Sequence, residues 1–454
     1  MSQTLRLLDR IWSSLGGSRD LLHHVGEEGR GSLSSAFAVS DFAAASVAAA
    51  GLALGELVAL RDIACPDVSV DRRLASFWFA KSIRPVGWSL PPQWDPVAGN
   101  YRARDGWVRL HTNADRHRNA CLRVLDCEAV PDLVRKAVEH WSADDLQEAV
   151  IAEGGVAARM LCAEEWASHP QGRAVQSEPL CHRQIRKGAS LRAFGTSSRP
   201  LSGIRILDLT RILAGPVATR FLAGYGADVL RIDPPHWDEP AVLPEVTVGK
   251  RRARLNLTEV KDRAVFEQLL RQADVIVHGY RTDALDKLGF GAQERYALNP
   301  DLIDVALNAY GWTGPWAARR GFDTVVQMSA GLAESEMRHS HADQPCALPV
   351  QLLDYGTGHM MAAAVLRALT EARQGLRTQW RFSLARTALE LSRAPGHVDA
   401  PFAAETVADL NPAPEKAFWG DAYRLKAPLR VGDVPLVFDH LAGPLGTDPP
   451  SFCT

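Results

Sequence analysis

Hydrophobic and polar positions in the first hundred residues predict helices followed by a linker. Residues 3–60 show mostly helical spacing, with breaks at 15–18 and near 26–34, so we predict a helical segment over 1–60. Residues 61–100 contain five prolines and little periodicity, which predicts an extended connector.

The pattern then changes to that of a small mixed unit. From Tyr101, hydrophobic and polar residues alternate around Asp105-Gly106, which predicts a β-hairpin. Helical spacing follows from 116 to 176. We therefore predict a small α+β domain over 101–182, and an exposed, basic linker over 183–200.

The second half alternates short apolar runs with helical segments. The runs that fit buried strands are 204–210, 227–233, 252–257, 273–279 and 302–311. This alternation predicts an α/β fold with a doubly wound parallel sheet, whose ligands bind at the carboxyl ends of the strands. We assign a large domain to 201–390 and a return tail to 391–454.

Charge and cysteine content narrow the classes of function. Lys and Arg total 51 and Asp and Glu total 53, giving a net charge of −2, which disfavours a nucleic-acid binder. The seven cysteines show no spacing typical of a metal site or a disulfide framework, and this favours a reducing cytoplasm. The first residues lack the pattern of a signal peptide.

One stretch, 36–60, is apolar and long enough to cross a membrane. It is rich in alanine and contains Asp41 and Glu56, whose charges are costly in hydrocarbon. We therefore predict a buried or half-buried helix and no membrane partner.

Loops of the predicted sheet carry candidate ligand-binding residues. Gly215-Pro216 either lets the backbone approach an anion or simply begins a helix, and no GxGxxG motif supports nicotinamide binding. Each basic cluster alone fits a solvated face, but three clusters near the strands of one sheet indicate a polyphosphate site. The clusters are Lys250 to Arg252, Arg281 with Lys287, and Arg319 with Arg320.

Asp354 is the acidic candidate. It lies between an apolar segment and Gly356, at the predicted start of an alanine-rich helix. Its carboxylate either caps that helix or, with a pKa lowered by the helix N-terminus, stays ionised as a nucleophile.

Several motifs of the second half resemble the class III CoA-transferase family, which includes formyl-CoA transferase, carnitine CoA-transferase and alpha-methylacyl-CoA racemase. In chain order they are LSGIRILDLTRILAGPVATRFLAGYGADVLRIDPP, GKRRARLNL, ADVIVHGYRTDALDKLGF, NPDLIDVALNAYGWTGPWAARRGFDTVVQMSAGL and LLDYGTGHMMAAAVLRAL. The resemblance implies a Rossmann-like large domain and transfer of CoA from an acyl-CoA to a carboxylic acid. It implies no metal and no prosthetic group.

The resemblance also implies the site residues. The catalytic aspartate of the family falls on Asp354, which would attack the thioester and pass CoA through an aspartyl-CoA thioester. The CoA-contacting positions fall on Leu213, Ala214, Lys250, Gly279, Tyr280, Arg281, Lys287 and Arg320. Phe322 stands where the racemases have a catalytic His, which favours the transferase over an acyl-CoA epimerase. A CoA-binding protein without catalysis is the third alternative.

The first half resembles other parts of the same family, in a rearranged order. Residues 39–60 resemble the helix with the catalytic aspartate, with Asp41 at the matching place, and 101–182 resembles the small domain. We expect Asp41 to be structural. The Gly-rich loop that closes the site in the family is reduced to Gly87 in RPVGWSLPPQW. Known members form interlocked homodimers. A homodimer is expected here too, and the rearranged order either preserves the interlocked ring or lets one chain supply both parts of the site.

Overall fold

The N-terminal region contains more regular structure than its pattern predicts. The computed structural model describes residues 2–61, 64–396 and 400–453. The elements of the first hundred residues are α1 (Gln3–Ser14), β1 (Val25–Glu28), α2 (Val39–Ala59), β2 (Val68–Asp71), α3 (Arg72–Trp78) and β3 (Ile83–Pro85). The prediction of an extended connector over 61–100 is therefore wrong for α3. Asp71 caps this helix by accepting the Leu74 N–H at 2.9 Å.

Residues 99–177 form the small unit expected from the pattern. Its elements are β4 (Gly99–Arg102), β5 (Trp107–Leu110), α4 (Asp115–Leu125), α5 (Pro131–Val138), α6 (Ala143–Ala152), β6 (Ala157–Arg159), α7 (Ala163–Ser168) and α8 (Pro170–Ser177). The predicted hairpin is confirmed, since β4 and β5 pair antiparallel, and β6 extends this sheet on the far side of β5.

The large region follows the predicted alternation of strands and helices. Up to its last strand the elements are β7 (His182–Lys187), β8 (Arg205–Leu209), α9 (Ala214–Gly224), β9 (Asp228–Asp233), α10 (Leu243–Val246), β10 (Lys250–Arg254), α11 (Val260–Gln272), β11 (Val275–His278), α12 (Ala284–Lys287), α13 (Ala292–Leu298), β12 (Ile303–Asn308), α14 (Asp323–Ser329), α15 (Leu332–His339), α16 (Leu352–Ala372) and β13 (Leu376–Ser383). The remaining elements are α17 (Leu384–Ser392), β14 (Glu415–Ala417), β15 (Gly420–Arg424) and β16 (Leu429–Val431).

Seven strands of the described chain form one sheet, in the order β10-β9-β8-β11-β12-β13-β7. All neighbours are parallel except β7, which pairs antiparallel with β13 at one edge. The α/β fold with a parallel sheet is thus confirmed. The prediction that 183–200 is a linker is wrong for its first residues, because β7 ends at Lys187 and belongs to the sheet.

Two long helices, α2 and α16, pack against each other in the core. Every residue of α16 is buried, and most of α2 is buried as well. Among the described residues, α2 is the one helix long and apolar enough to cross a membrane, and 89% of its most apolar stretch lies inside the protein. The predicted burial of this stretch is confirmed.

The C-terminal tail returns to the N-terminal region. Strand β15 pairs with β14 and β3, and β16 pairs with β2, which in turn pairs with β1. Through these small sheets, the tail holds the segment before the small unit against the large region.

Candidate active site

Two adjoining cavities lie beside the loop that follows the carboxyl end of β8, and the larger one also reaches the carboxyl ends of β11 and β12. Their volumes are about 220 Å³ for the smaller cavity and about 410 Å³ for the larger one. This edge of a parallel sheet is where ligands are expected. Both cavities are lined by His117, Ile212, Leu213, Trp237, Phe322 and Asp354. We call the region lined by these six residues the junction.

Close helix packing brings Asp354 to the junction. A Cβ on Gly358 would lie 2.4 Å from the carbonyl oxygen of Ala214, so this contact between α16 and α9 requires glycine. A Cβ on Gly215 would similarly lie 2.3 Å from Thr210 Cγ2. The first turn of α16 is therefore held beside the loop that follows β8.

The Asp354 carboxyl is buried and is not a helix cap. Its residue is the third of α16, and its own backbone N–H donates to Asp323 Oδ2 at 3.0 Å. Burial, followed by the charge of Asp323, raises the pKa of Asp354 well above its usual range. Within the described residues, no hydrogen bond to this carboxyl counteracts these two effects. The expectation that the helix N-terminus lowers the pKa of Asp354 is thus wrong. The backbone N–H groups of the first turn donate their hydrogen bonds to Asp323 instead.

Asp323, the first residue of α14, accepts the hydrogen bonds of those backbone N–H groups. It is fully buried, and Gln327 also donates to it. Burial raises the pKa of Asp323 to about 6, although its hydrogen bonds and Arg109 act in the opposite direction. The two carboxyls therefore hold protons more tightly than exposed carboxyls do.

Two histidines of the small unit complete the walls. His111 and His117 are buried, and the His111 ring stacks on Phe322 with centroids 4.1 Å apart. Burial and neighbouring cations lower the pKa of both, that of His117 to about 3, so both rings are neutral. Sequence analysis missed these residues, although the string LHTNADRH follows the hairpin directly. No spacing links them to Asp354, which is more than 200 positions away in the chain.

Arginine side chains surround the larger cavity. They are Arg116, Arg211, Arg281, Arg319 and Arg320. Burial and neighbouring arginines lower the pKa of Arg116 and of Arg320. Because these cations repel one another, the larger cavity favours an anionic ligand. Arg211 also donates to the Tyr280 hydroxyl at 2.9 Å, which fixes both side chains at the cavity wall.

The structure brings together six of the eight residues expected to contact CoA. Those lining the larger cavity are Leu213, Ala214, Gly279, Tyr280, Arg281 and Arg320. Lys250 and Lys287 are not among its lining residues. Lys287 is exposed on α12, and its ammonium pairs with Asp283 at 2.5 Å.

Lys250 points into the protein and pairs with buried groups instead of lining the larger cavity. Its side chain is fully buried, and the ammonium donates to Asp208 Oδ2 at 3.0 Å and to the Pro216 carbonyl at 2.9 Å. Burial lowers the pKa of Lys250 to about 8. The rest of its cluster is also paired, Arg251 with Asp228 and Arg252 with Asp448. The expectation that this cluster faces a phosphate is therefore wrong.

The segment that resembles a reduced Gly-rich loop covers the smaller cavity with larger side chains. Pro92, Gln93 and Trp94 line this cavity. The Trp94 ring meets His111 edge to face, and the Arg109 guanidinium lies 4.9 Å from its centre. An aromatic cover of this kind limits access of water to the junction.

Within residues 2–61, 64–396 and 400–453, no group of three or more His, Cys, Asp or Glu side chains is placed to hold a metal ion.

Parts of the chain are similar in sequence to known CoA-transferases. Residues 201–424 match the family model of CoA-transferase family III. An acetyl-CoA:oxalate CoA-transferase of Acetobacter aceti is 37% identical over 145 residues, which cover 29% of this chain and 37% of that protein. A probable fatty acyl-CoA transferase of Mycobacterium tuberculosis is 32% identical over 186 residues, or 38% of this chain and 47% of that protein.

Solved structures give partial matches only. A crystal structure of the mycobacterial protein is 32% identical, covers 43% of this chain and 56% of that chain, and has a TM-score of 0.39. The chain spans about half the length, or less, of the curated relatives it matches. The similarity to CoA-transferase family III thus rests on residues 201–424, which include the parallel strands of the large sheet and Asp354.

Proposed function

We propose that this protein transfers CoA from an acyl-CoA to a carboxylic acid, with Asp354 as the nucleophile. The observation that carries the proposal is the position of the Asp354 carboxyl at the junction, with a basic cavity on one side and a smaller cavity on the other. The basic cavity suits the phosphates of CoA, and the smaller cavity suits the acyl group.

The arginines of the larger cavity would bind the nucleotide end of CoA. Guanidinium groups match phosphate oxygens in geometry and charge, and the Tyr280 ring offers a surface on which adenine stacks. The pantetheine arm would then run past Leu213 and Ala214 to the junction, which brings the thioester next to Asp354.

The proposed reaction exchanges carbonyl bonds at Asp354. The ionised carboxylate attacks the thioester carbon, the C–S bond breaks, and its electron pair leaves on sulfur as the CoA thiolate. The thiolate then attacks the aspartyl carbonyl of the mixed anhydride, which releases the first acid and forms an aspartyl-CoA thioester. The acceptor carboxylate attacks this thioester, which expels the CoA thiolate and leaves a second mixed anhydride between the acceptor and Asp354. The thiolate then attacks the acyl carbon of the acceptor, which forms the new acyl-CoA and releases the Asp354 carboxylate.

The raised pKa of Asp354 suits this role in one respect. A carboxylate of high pKa is more basic and therefore a stronger nucleophile once ionised, and a buried site withholds the water that would hydrolyse the anhydride. The acid must lose its proton before it attacks, so turnover depends on pH.

Trapping the covalent intermediate tests the proposal. The protein is incubated with short-chain and dicarboxylic acyl-CoAs in the presence of hydroxylamine, and modified peptides are identified by mass spectrometry. We expect a hydroxamate at Asp354, none in Asp354→Asn, and an undiminished adduct in Asp41→Asn, the matched control in α2. Undiminished CoA transfer by Asp354→Asn would contradict the proposal. Deuterium exchange at the α carbon without CoA transfer would indicate an epimerase instead.

A further inference from the structure

The His117 ring has a buried nitrogen whose hydrogen-bonding capacity is unused. His117 is fully buried in the first turn of α4 and lines both cavities. Its Nε2 accepts a hydrogen bond from Arg116 Nε at 3.2 Å. Its Nδ1 has no hydrogen-bond partner within the described residues.

These contacts determine the position of the ring proton. Burial and the charges of Arg116 and Arg320 keep the imidazole neutral, so it carries one proton. Because Nε2 accepts from an arginine, which can only donate, the proton must be on Nδ1. His117, a residue that lines the junction, thus has a buried N–H donor without an acceptor among the described residues, an arrangement that costs free energy unless a ligand supplies the acceptor.

Among the other junction side chains, three are apolar and Trp237 is already engaged. His111 also has an unpartnered Nδ1, but it lines only the smaller cavity and stacks on Phe322. Trp237 lines the junction, and its Nε1 donates to Glu239 at 2.9 Å. Of the six junction side chains, His117 is therefore the one with a free donor, and Asp354 is the one with a nucleophilic oxygen.

We propose that the Nδ1–H of His117 binds the carbonyl oxygen of the acyl-CoA thioester and stabilises the oxyanion formed there. This inference rests on the proposed function. As the Asp354 oxygen bonds to the carbonyl carbon, the π electron pair moves to the carbonyl oxygen, and His117 donates a hydrogen bond without giving up its proton. When the oxyanion collapses, the C–S bond breaks and the pair leaves on sulfur. A donor aimed at such a charge acts mainly in the transition state.

Kinetics of three His117 variants test this role. Removing one oxyanion donor typically costs about 10²-fold or more in kcat, so we expect such a loss in His117→Ala with little change in KM for acyl-CoA. His117→Asn places an amide N–H near the position of Nδ1 and should recover much of the rate. His117→Gln places its amide near Nε2 and should not. Asn119→Ala, an exposed change on the same helix, should leave kcat unchanged. Wild-type kcat in His117→Ala, or equal losses in the Asn and Gln variants, would overturn the inference.

A spectroscopic measurement separates the inference from the proposed function. Acetyl-CoA labelled with ¹³C at its carbonyl is bound to Asp354→Asn, which cannot form the intermediate, and the carbonyl stretch is measured by isotope-edited infrared spectroscopy. We expect a lower frequency than in water, and loss of this shift in Asp354→Asn/His117→Ala. If both variants bind acetyl-CoA and show the same carbonyl frequency, the role of His117 is contradicted and the proposed function is not. If neither wild type nor variant binds acetyl-CoA or any other acyl-CoA, the proposed function fails, and this inference fails with it.

Discussion

At the scale of single residues, the Asp354–Asp323 pair makes the proposed nucleophile dependent on pH. The pKa of Asp354 is raised first by burial and then by the negative charge of Asp323. Asp323→Asn removes that charge, so Asp354 ionises at lower pH, and the acid limb of the pH profile of kcat/KM should move to lower pH. Gln327→Met, which removes a hydrogen bond to Asp323 but keeps its charge, should not move the limb in this direction. An acid limb that stays in place in Asp323→Asn would show that another group controls it.

Arg320 and Lys287 provide a matched pair of basic residues for substitution, one inside the larger cavity and one in solvent. Arg320 lines that cavity, whereas Lys287 pairs with Asp283 in solvent. Loss of one charge-assisted contact to phosphate costs about 1.5–3 kcal/mol, so Arg320→Ala should raise the KM for acyl-CoA roughly tenfold or more. Lys287→Ala should change it less than about twofold, as expected for an exposed pair. Steady-state kinetics check this, with an acyl-pantetheine that lacks the nucleotide as control. Its KM should be the same in Arg320→Ala and in wild type.

At the scale of elements, α2 and α16 each have an aspartate at the third helical position, in very different surroundings. Asp41 of α2 accepts from both terminal nitrogens of Arg72 at 3.1 Å and from the Thr4 hydroxyl. Removing one partner of a buried ion pair leaves the other charge uncompensated. Asp41→Ala should lower the free energy of unfolding by about 3 kcal/mol, measured by urea denaturation, while kcat of the folded protein stays at the wild-type value. A loss of kcat without loss of stability would contradict the structural role of Asp41.

Replacing Asp354, the aspartate at the same position of α16, should raise the free energy of unfolding instead of lowering it. Because folding raises the pKa of Asp354, ionising it costs folding free energy, and this cost increases as pH rises above the pKa of an unfolded aspartate, about 4. Asp354→Asn removes the charge and should stabilise the protein by about 1 kcal/mol at pH 8. Urea denaturation at pH 8 and at pH 5 checks the sign, because the gain should shrink at pH 5. A variant that is less stable than wild type at pH 8 would show that Asp354 is not strained by burial.

Sequence patterns predicted those elements whose burial produces a regular apolar signal. The strands β8, β9, β11 and β12 were predicted from short apolar runs, and their order along the chain implied the parallel sheet. Strand β7, HRQIRK, was missed because it lies at an edge and tolerates polar side chains, so it resembles a basic linker. The state of Asp354 was mispredicted for a related reason. Its pKa depends on Asp323, which comes into contact with it only through tertiary packing.

At the scale of the whole molecule, a single chain supplies both walls of the candidate site. The small unit is anchored to the large region through Arg109, which donates to Thr324 Oγ1 at 2.9 Å, and through Gln171, which donates to the Tyr310 carbonyl at 2.7 Å. His117 and Arg116 of α4 thereby line the same cavity as Asp354 of the same chain. We interpret the order of parts, with the small unit ahead of the large region, as the arrangement that allows this.

This arrangement predicts that two defective chains cannot restore each other. Arg116→Glu alters the wall from the small unit, and Asp354→Asn removes the nucleophile from the large region. If every site is built from one chain, co-expressing the two variants gives no more CoA transfer than the average of the two alone. If the small unit of one subunit instead closed the site of another, some mixed assemblies would combine an intact wall with an intact nucleophile, and the rate would recover well above that average. Co-expression with two different affinity tags, followed by tandem purification and assay of the mixed species, distinguishes these outcomes. The double variant Arg116→Glu/Asp354→Asn, co-expressed with wild type, gives the rate of one unimpaired chain as the reference.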